Sequence, residues 1–102
     1  MTVDVVITRL SRAHYRGVDA WWRMNRPKSP ELFSNEFRRS VNLIAHAPQI
    51  GQSYEAPESL PLRRYFLQRT GHHVYYRFDE RKRCVTVLGI WNAASGSEPN
   101  FV

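Results

Sequence analysis

Short β-branched and aromatic runs set around two stretches of helical periodicity predict an α+β domain, β-α-α-β-β-β, with a helical hairpin on one face of a mainly antiparallel sheet. Three observations carry this expectation. The chain opens on a β-branched run, continues through two apolar stripes at helical spacing joined by few residues, and closes on three strand-like runs separated by short turn sequences. At 102 residues it has room for one modest core, because larger burial needs a longer chain. A composition of 42% hydrophobic and 24% charged residues is that of a chain that folds.

Val3-Asp4-Val5-Val6-Ile7-Thr8 is short and β-branched, which predicts a strand with one buried face. Ser11 then suits a helix cap, and Val18, Trp21, Trp22 and Asn25 recur at helical spacing until Pro27, predicting a helix from about Arg12 to Arg26. Trp21 and Trp22, about 100° apart on a helix, either place one ring at an interface or together fill a broad apolar face.

Ser29-Pro30-Glu31 has the chemistry of a second helix start: a side-chain acceptor, a ring that fits the first helical position and an anion for the dipole. Phe33, Phe37, Val41 and Ile44 form its apolar stripe, and it ends before Pro48. The short connection predicts an antiparallel hairpin. Pro48 to Pro61, with Gly51, Ser53, Pro57 and Ser59 and no periodicity, reads as a loop.

Leu62 to Gln68, Val74 to Phe78 and Val85 to Trp91 then predict a three-stranded meander, broken at Thr70-Gly71 and at Asp79-Glu80-Arg81-Lys82. In the last run both alternating sets are apolar, Val85, Val87 and Trp91 against Thr86, Leu88 and Ile90, which points to a central strand covered on both faces. The domain is expected to span residues 1–92, with 93–102 a tail.

Fifteen basic against nine acidic residues give a net charge of +6, and thirteen of the fifteen are arginine, the residue best suited to phosphate and carboxylate recognition. The excess is local: between Pro61 and Arg83, seven bases stand against Asp79 and Glu80, a net +5 on the meander. Tyr65, Phe66, His72, His73, Tyr75 and Tyr76 are interleaved with it, and aromatics with arginine can stack bases and neutralise phosphates. Val74, Tyr76 and Phe78 share the core face of one strand, leaving His73, Tyr75, Arg77 and Asp79 on the other. Arg77 there either clamps a phosphate or acidic partner or forms a structural salt bridge.

One cysteine, Cys84, excludes an internal disulfide and a cysteine-based zinc site. The four histidines show no metal-ligand spacing, and HExxH, P-loop and GxSxG patterns are absent. No metal and no cofactor are therefore expected. His73 is either a general base or a hairpin-end histidine. With no basic leader and no long apolar stretch, the chain reads as cytoplasmic, with no membrane contact.

The first strand, the helix pair, Pro48-Gln49-Ile50-Gly51, Leu62-Arg63-Arg64-Tyr65, Tyr75-Tyr76-Arg77-Phe78-Asp79 and Val87-Leu88-Gly89-Ile90-Trp91 resemble, in order and spacing, the RelE/ParE toxins over residues 3 to 92. The resemblance implies a toxin neutralised by a cognate antitoxin, with operator DNA reached only through that antitoxin. RelE-like members cleave messenger RNA in the ribosome, whereas ParE-like members poison DNA gyrase. By position, Arg64 and Arg77 match the family's basic sheet residues, and Tyr65, Tyr75 and Tyr76 its aromatic ones.

One departure bears on mechanism. Many members follow the last strand with paired arginines, and here the chain reads Trp91-Asn92-Ala93-Ala94-Ser95. RNA cleavage needs a group to take the 2′-OH proton and positive charge for the developing anion, and arginine, always protonated, supplies only the second. The preferred expectation is thus a ParE-like toxin that binds a protein through Arg63, Arg64, Tyr65, Arg77 and Trp91. The first alternative is a RelE-like RNase using Arg64, His73, Tyr75, Tyr76 and Arg77. The second is a non-toxic nucleic-acid-binding or structural module on the same fold.

Overall fold

The computed structural model describes residues 1–55 and 61–95; most of the expected tail and the centre of the expected loop lie outside them. The elements run β1 (Asp4–Ile7), α1 (Arg9–Asn25), α2 (Leu32–His46), β2 (Gln52–Glu55), β3 (Pro61–Leu67), β4 (His72–Asp79) and β5 (Cys84–Asn92). The strands form one sheet in the order β1-β5-β4-β3-β2, antiparallel except for the parallel β1–β5 pair. Both helices cover one face, which is the predicted α+β layout with one strand more than expected.

That strand, β2, occupies part of the segment read as a loop. Gln52-Ser53-Tyr54-Glu55 has no alternation to announce it and is ordered by pairing with Pro61 to Arg64. What brings it to the sheet is visible just before it. The Tyr76 hydroxyl, on β4, donates to the Pro48 carbonyl at 2.8 Å and accepts from the Gly51 amide at 2.8 Å. The Arg63 guanidinium donates to the Gln49 and Gly51 carbonyls at 3.1 and 2.8 Å. A Cβ on Gly51 would lie 2.6 Å from the Tyr76 hydroxyl oxygen, so only glycine fits.

The helix starts differ from expectation. Thr8, not Ser11, caps α1: its Oγ1 accepts from the Ser11 amide at 3.2 Å. Ser11 is fully buried, and its hydroxyl donates to the Val87 carbonyl at 2.8 Å while accepting from the Thr8 hydroxyl at 2.9 Å. A buried hydroxyl must be satisfied, and this relay does so while tying the start of α1 to β5. Ser29-Pro30-Glu31 forms a turn before α2, with the Leu32 amide donating to the Ser29 carbonyl at 3.2 Å, and Glu31 makes no side-chain cap.

The core lies between the helices and the sheet. Phe33, Phe37 and Ile44 of α2 meet Leu67, Val74, Tyr76, Val85, Val87 and Ile90, each buried side chain contributing about 1.5–3 kcal/mol. Tyr15 joins the helices, its ring 5.4 Å from Phe33 and 5.1 Å from Phe37. The apolar stripe read from α2 is this buried face.

The doubly apolar pattern of β5 has another origin than two-sided cover. The register passes from Tyr75↔Gly89 to Tyr76↔Val87, leaving Leu88 as the extra residue of a bulge. A bulge reverses the inside–outside phase. Val85 and Val87 face the core before it and Ile90 after it, while Thr86 and Leu88 are only half-buried. β5 is interior to the sheet, and β4 is its middle strand.

Candidate functional site

Strand alternation brings one set of residues together on the face away from the helices. Arg64 on β3 pairs with Tyr75 on β4, which pairs with Gly89 on β5; one row along, Phe66 pairs with His73 and His73 with Trp91. Arg77 stands two residues beyond Tyr75 on the same face, opposite Thr86. The rings form a ladder, with centroids 5.1 Å apart for Phe66–His73 and 5.9 Å for His73–Tyr75. Phe66, 41% exposed, belongs to this group although the sequence reading counted it among the interleaved aromatics and not among the site residues. Its signal was parity with Arg64 along β3.

Chemical reach differs sharply within the group. Arg77 is exposed and makes no ion pair, so the structural salt bridge weighed for it does not form among the described residues. The Asp79 carboxylate instead accepts from the Lys82 amide at 3.1 Å. Tyr75 is only 2% exposed. Burial, followed by the Arg64 cation, holds the His73 imidazole below the ordinary histidine range. His14, from α1, meets Trp91 edge-on at 6.2 Å, and its Nδ1 accepts from the Ile90 amide at 3.1 Å, closing the edge of β5 beyond the reach of β1.

Three residues expected at the site lie elsewhere. Tyr76 is wholly buried and burial pushes its phenol up, with both hydroxyl hydrogen-bonding directions committed to backbone. Tyr65 pairs with Val74 and packs against the core. Arg63 is held by the Gln49 and Gly51 carbonyls. All three have the opposite parity from Arg64, and a paired Leu-Arg-Arg-Tyr run cannot put neighbours on the same face. Among the described residues, no cluster of histidine, cysteine or acidic side chains could hold a metal ion, and no helix is long and apolar enough to cross a membrane.

A second feature lies on the helix side. Between α1, α2 and the end of β1 runs a groove of about 460 Å³ with an apolar floor of Ile7, Tyr15, Phe37 and Val41 and a rim of Arg12, Arg16 and Arg38. No carboxylate lines it among the described residues. Beside it β1 forms one edge of the sheet, unpaired among the described residues, as β2 does at the other side.

The family described as the ParE toxin of the type II toxin–antitoxin system parDE matches residues 5–95. No curated protein matches by sequence. Among solved structures, the fold is similar to that of the archaeal RelE–RelB complex of Pyrococcus horikoshii OT3, at a TM-score of 0.67 and 15% identity over 92% of this chain and 98% of that one. It is also similar to the free RelE toxin of Escherichia coli in a doubly arginine-substituted form, at 0.60 and 14% over 94% and 88%. A third likeness is to the RelBE2 toxin–antitoxin complex of Mycobacterium tuberculosis, at 0.59 and 13% over 90% and 99%.

Proposed function

The chain belongs to the ParE toxin family of type II toxin–antitoxin systems, and from that premise we propose that it arrests growth by binding a protein target, DNA gyrase, with no chemistry of its own. The observation that carries this reading is that neither tyrosine hydroxyl is within reach: Tyr76 is locked in the core and Tyr75 is 2% exposed. What the face presents is Arg77, with Phe66 and Trp91 at least partly accessible. Arginine and large aromatic side chains are the composition of protein-binding hot spots, whereas arginine takes up no proton.

The cognate antitoxin is the second partner in this proposal. The arginine-rimmed groove and the open edges at β1 and β2 suit a segment that binds by helix-in-groove contact and strand addition. The similar RelE–RelB and RelBE2 structures are themselves toxin–antitoxin complexes, which supports this part.

A RelE-like ribosome-dependent mRNA endoribonuclease is kept as a second reading because of His73 alone. An imidazole held neutral beside the Arg64 cation is chemically able to take a 2′-OH proton. Inducible expression, alone and with the neighbouring gene product, separates the readings when growth, plasmid supercoiling and transcript integrity are followed together. The proposal expects arrest with lost supercoiling and intact transcripts, relieved by the neighbour. Arg77→Ala should be folded and harmless, and Tyr75→Phe should remain toxic. Cleaved transcripts, with His73→Gln folded and harmless, would replace it with the RNase reading, since losing a catalytic base lowers a rate by about 10²–10⁴-fold.

A further inference from the structure

We propose that the outward face of α1 is a docking surface for one acidic amphipathic α-helix of a partner protein, paired along α1 in the manner of a coiled coil. A seven-residue repeat that the fold does not use carries the inference. Leu10, Gly17 and Met24 recur at that spacing, as do Ala13 and Ala20 three residues behind the first two. Together they make the two alternating positions of a helical seam. Arg9, Arg16 and Arg23 repeat at the same spacing, each directly before a seam residue, in the flanking position that faces a partner's flank. All of these residues are exposed.

The core takes the other side of the helix, through Ser11, Tyr15, Val18 and Trp22. At 3.6 residues per turn, Leu10, Gly17, Trp21 and Met24 fall within about 60° of arc. Leu10 and Trp21 remain 46% and 47% exposed and Met24 83%. The middle of the seam is small: a Cβ built on Gly17 meets nothing within 4 Å. It is therefore a shallow trough between Leu10 and Met24 that accepts large apolar side chains. Trp21 borders it, pinned edge-on to Trp22 at 5.8 Å and beneath the Arg26 guanidinium at 5.1 Å. A ring held in this way loses little entropy on binding.

Charge decides the occupant. From Arg9 to Arg26 there are five arginines and one carboxylate, Asp19, a net +4. A second copy laid antiparallel would set arginine flank against arginine flank, and laid parallel it would offer His14 and Trp21; neither arrangement supplies a carboxylate. A helix with glutamates beside its apolar stripe supplies them. The Arg23–Asp19 pair, at 3.0 Å, is solvent-exposed at its arginine, and such pairs exchange at little cost. This surface adjoins the α1–α2 groove and shares Arg16 with it, and its assignment does not depend on whether the toxin's target is gyrase or the ribosome.

The test uses a synthetic three-heptad peptide with leucine at both seam positions and glutamate at both flanks, whose like charges oppose self-pairing. Fluorescence anisotropy measures its binding to the full chain, beside the same peptide carrying lysine for glutamate. The glutamate peptide should bind at least about tenfold more tightly than the lysine one, and Met24→Glu should weaken it by about tenfold. Arg9→Glu with Arg16→Glu should invert the preference, an outcome that misfolding does not produce. Equal affinity for the two peptides, or indifference to Met24→Glu in a variant of unchanged circular dichroism, overturns the proposal. A dimer of the wild type in light scattering that Met24→Glu dissolves also overturns it, giving the face to a second copy.

Discussion

Tyr75 and Tyr76 are neighbours of identical chemistry, and strand alternation gives them opposite environments. Tyr76 points into the core and bridges the Pro48 carbonyl to the Gly51 amide; Tyr75 lies in the ring ladder between Arg64 and Gly89. Tyr76→Phe keeps the ring and strands a buried amide, which costs about 1–3 kcal/mol. Urea unfolding should show that loss, while Tyr75→Phe should fall within about 0.5–1.5 kcal/mol of wild type. The parity of these two residues was legible in the sequence. The hydroxyl bridge was not, because it joins positions that only the folded chain brings together.

His72 yields a pH dependence with a defined sign. It is 8% exposed against Phe33 at 5.6 Å, and desolvation lowers its pKa, opposed by a hydrogen bond that the imidazole donates to the Thr70 backbone and by the Glu36 carboxylate. Desolvation also lowers His14 and His73. The unfolded chain then binds more protons than the folded one below the ordinary histidine pKa of about 6.5, so stability is full above it and falls as pH drops through it toward the depressed folded values. Denaturation midpoints between about pH 7.5 and 5 should fall on acidification, and His72→Phe should reduce the slope. A midpoint that rises toward acid contradicts the assignment.

At the scale of elements, strong local signals were legible and long-range ones were not. The apolar stripe of α2 and the three meander strands follow from periodicity within each segment. β2 is polar and short, and Tyr76 and Arg63 recruit it from elsewhere. The β5 bulge hides in a run whose two alternating sets are both apolar, a pattern that two-sided burial also produces. The start of α1 was missed because Ser11, a good cap by type, has a better use inside the helix joining Thr8 to Val87. The β4–β5 turn holds Arg83 at φ 49°, where a side chain is strained by about 1–2 kcal/mol. Arg83→Gly removes that strain at some cost in unfolded-chain entropy, so thermal unfolding should show a net gain of about 0.5–1 kcal/mol. A loss would mean that the turn depends on the arginine side chain.

For the molecule as a whole, the sheet divides labour between its faces. The helices seal one side and leave the outward surface of α1 exposed; the other side gathers Arg64, Phe66, His73, Tyr75, Arg77 and Trp91 from three strands. Composition showed that the meander is basic, and order of motifs showed the family. Which arginines share a face required the register, which separates Arg64 from Arg63 and Tyr75 from Tyr76. The central claim, that the toxin binds its target and performs no cleavage, meets its most direct test in purified components. The chain is added in parallel to a gyrase supercoiling reaction and to ribosomes translating a defined messenger RNA. Inhibition of supercoiling that Arg77→Ala abolishes, with the messenger intact at the same toxin concentration, is the predicted result; a cleaved messenger beside unimpaired gyrase would contradict it.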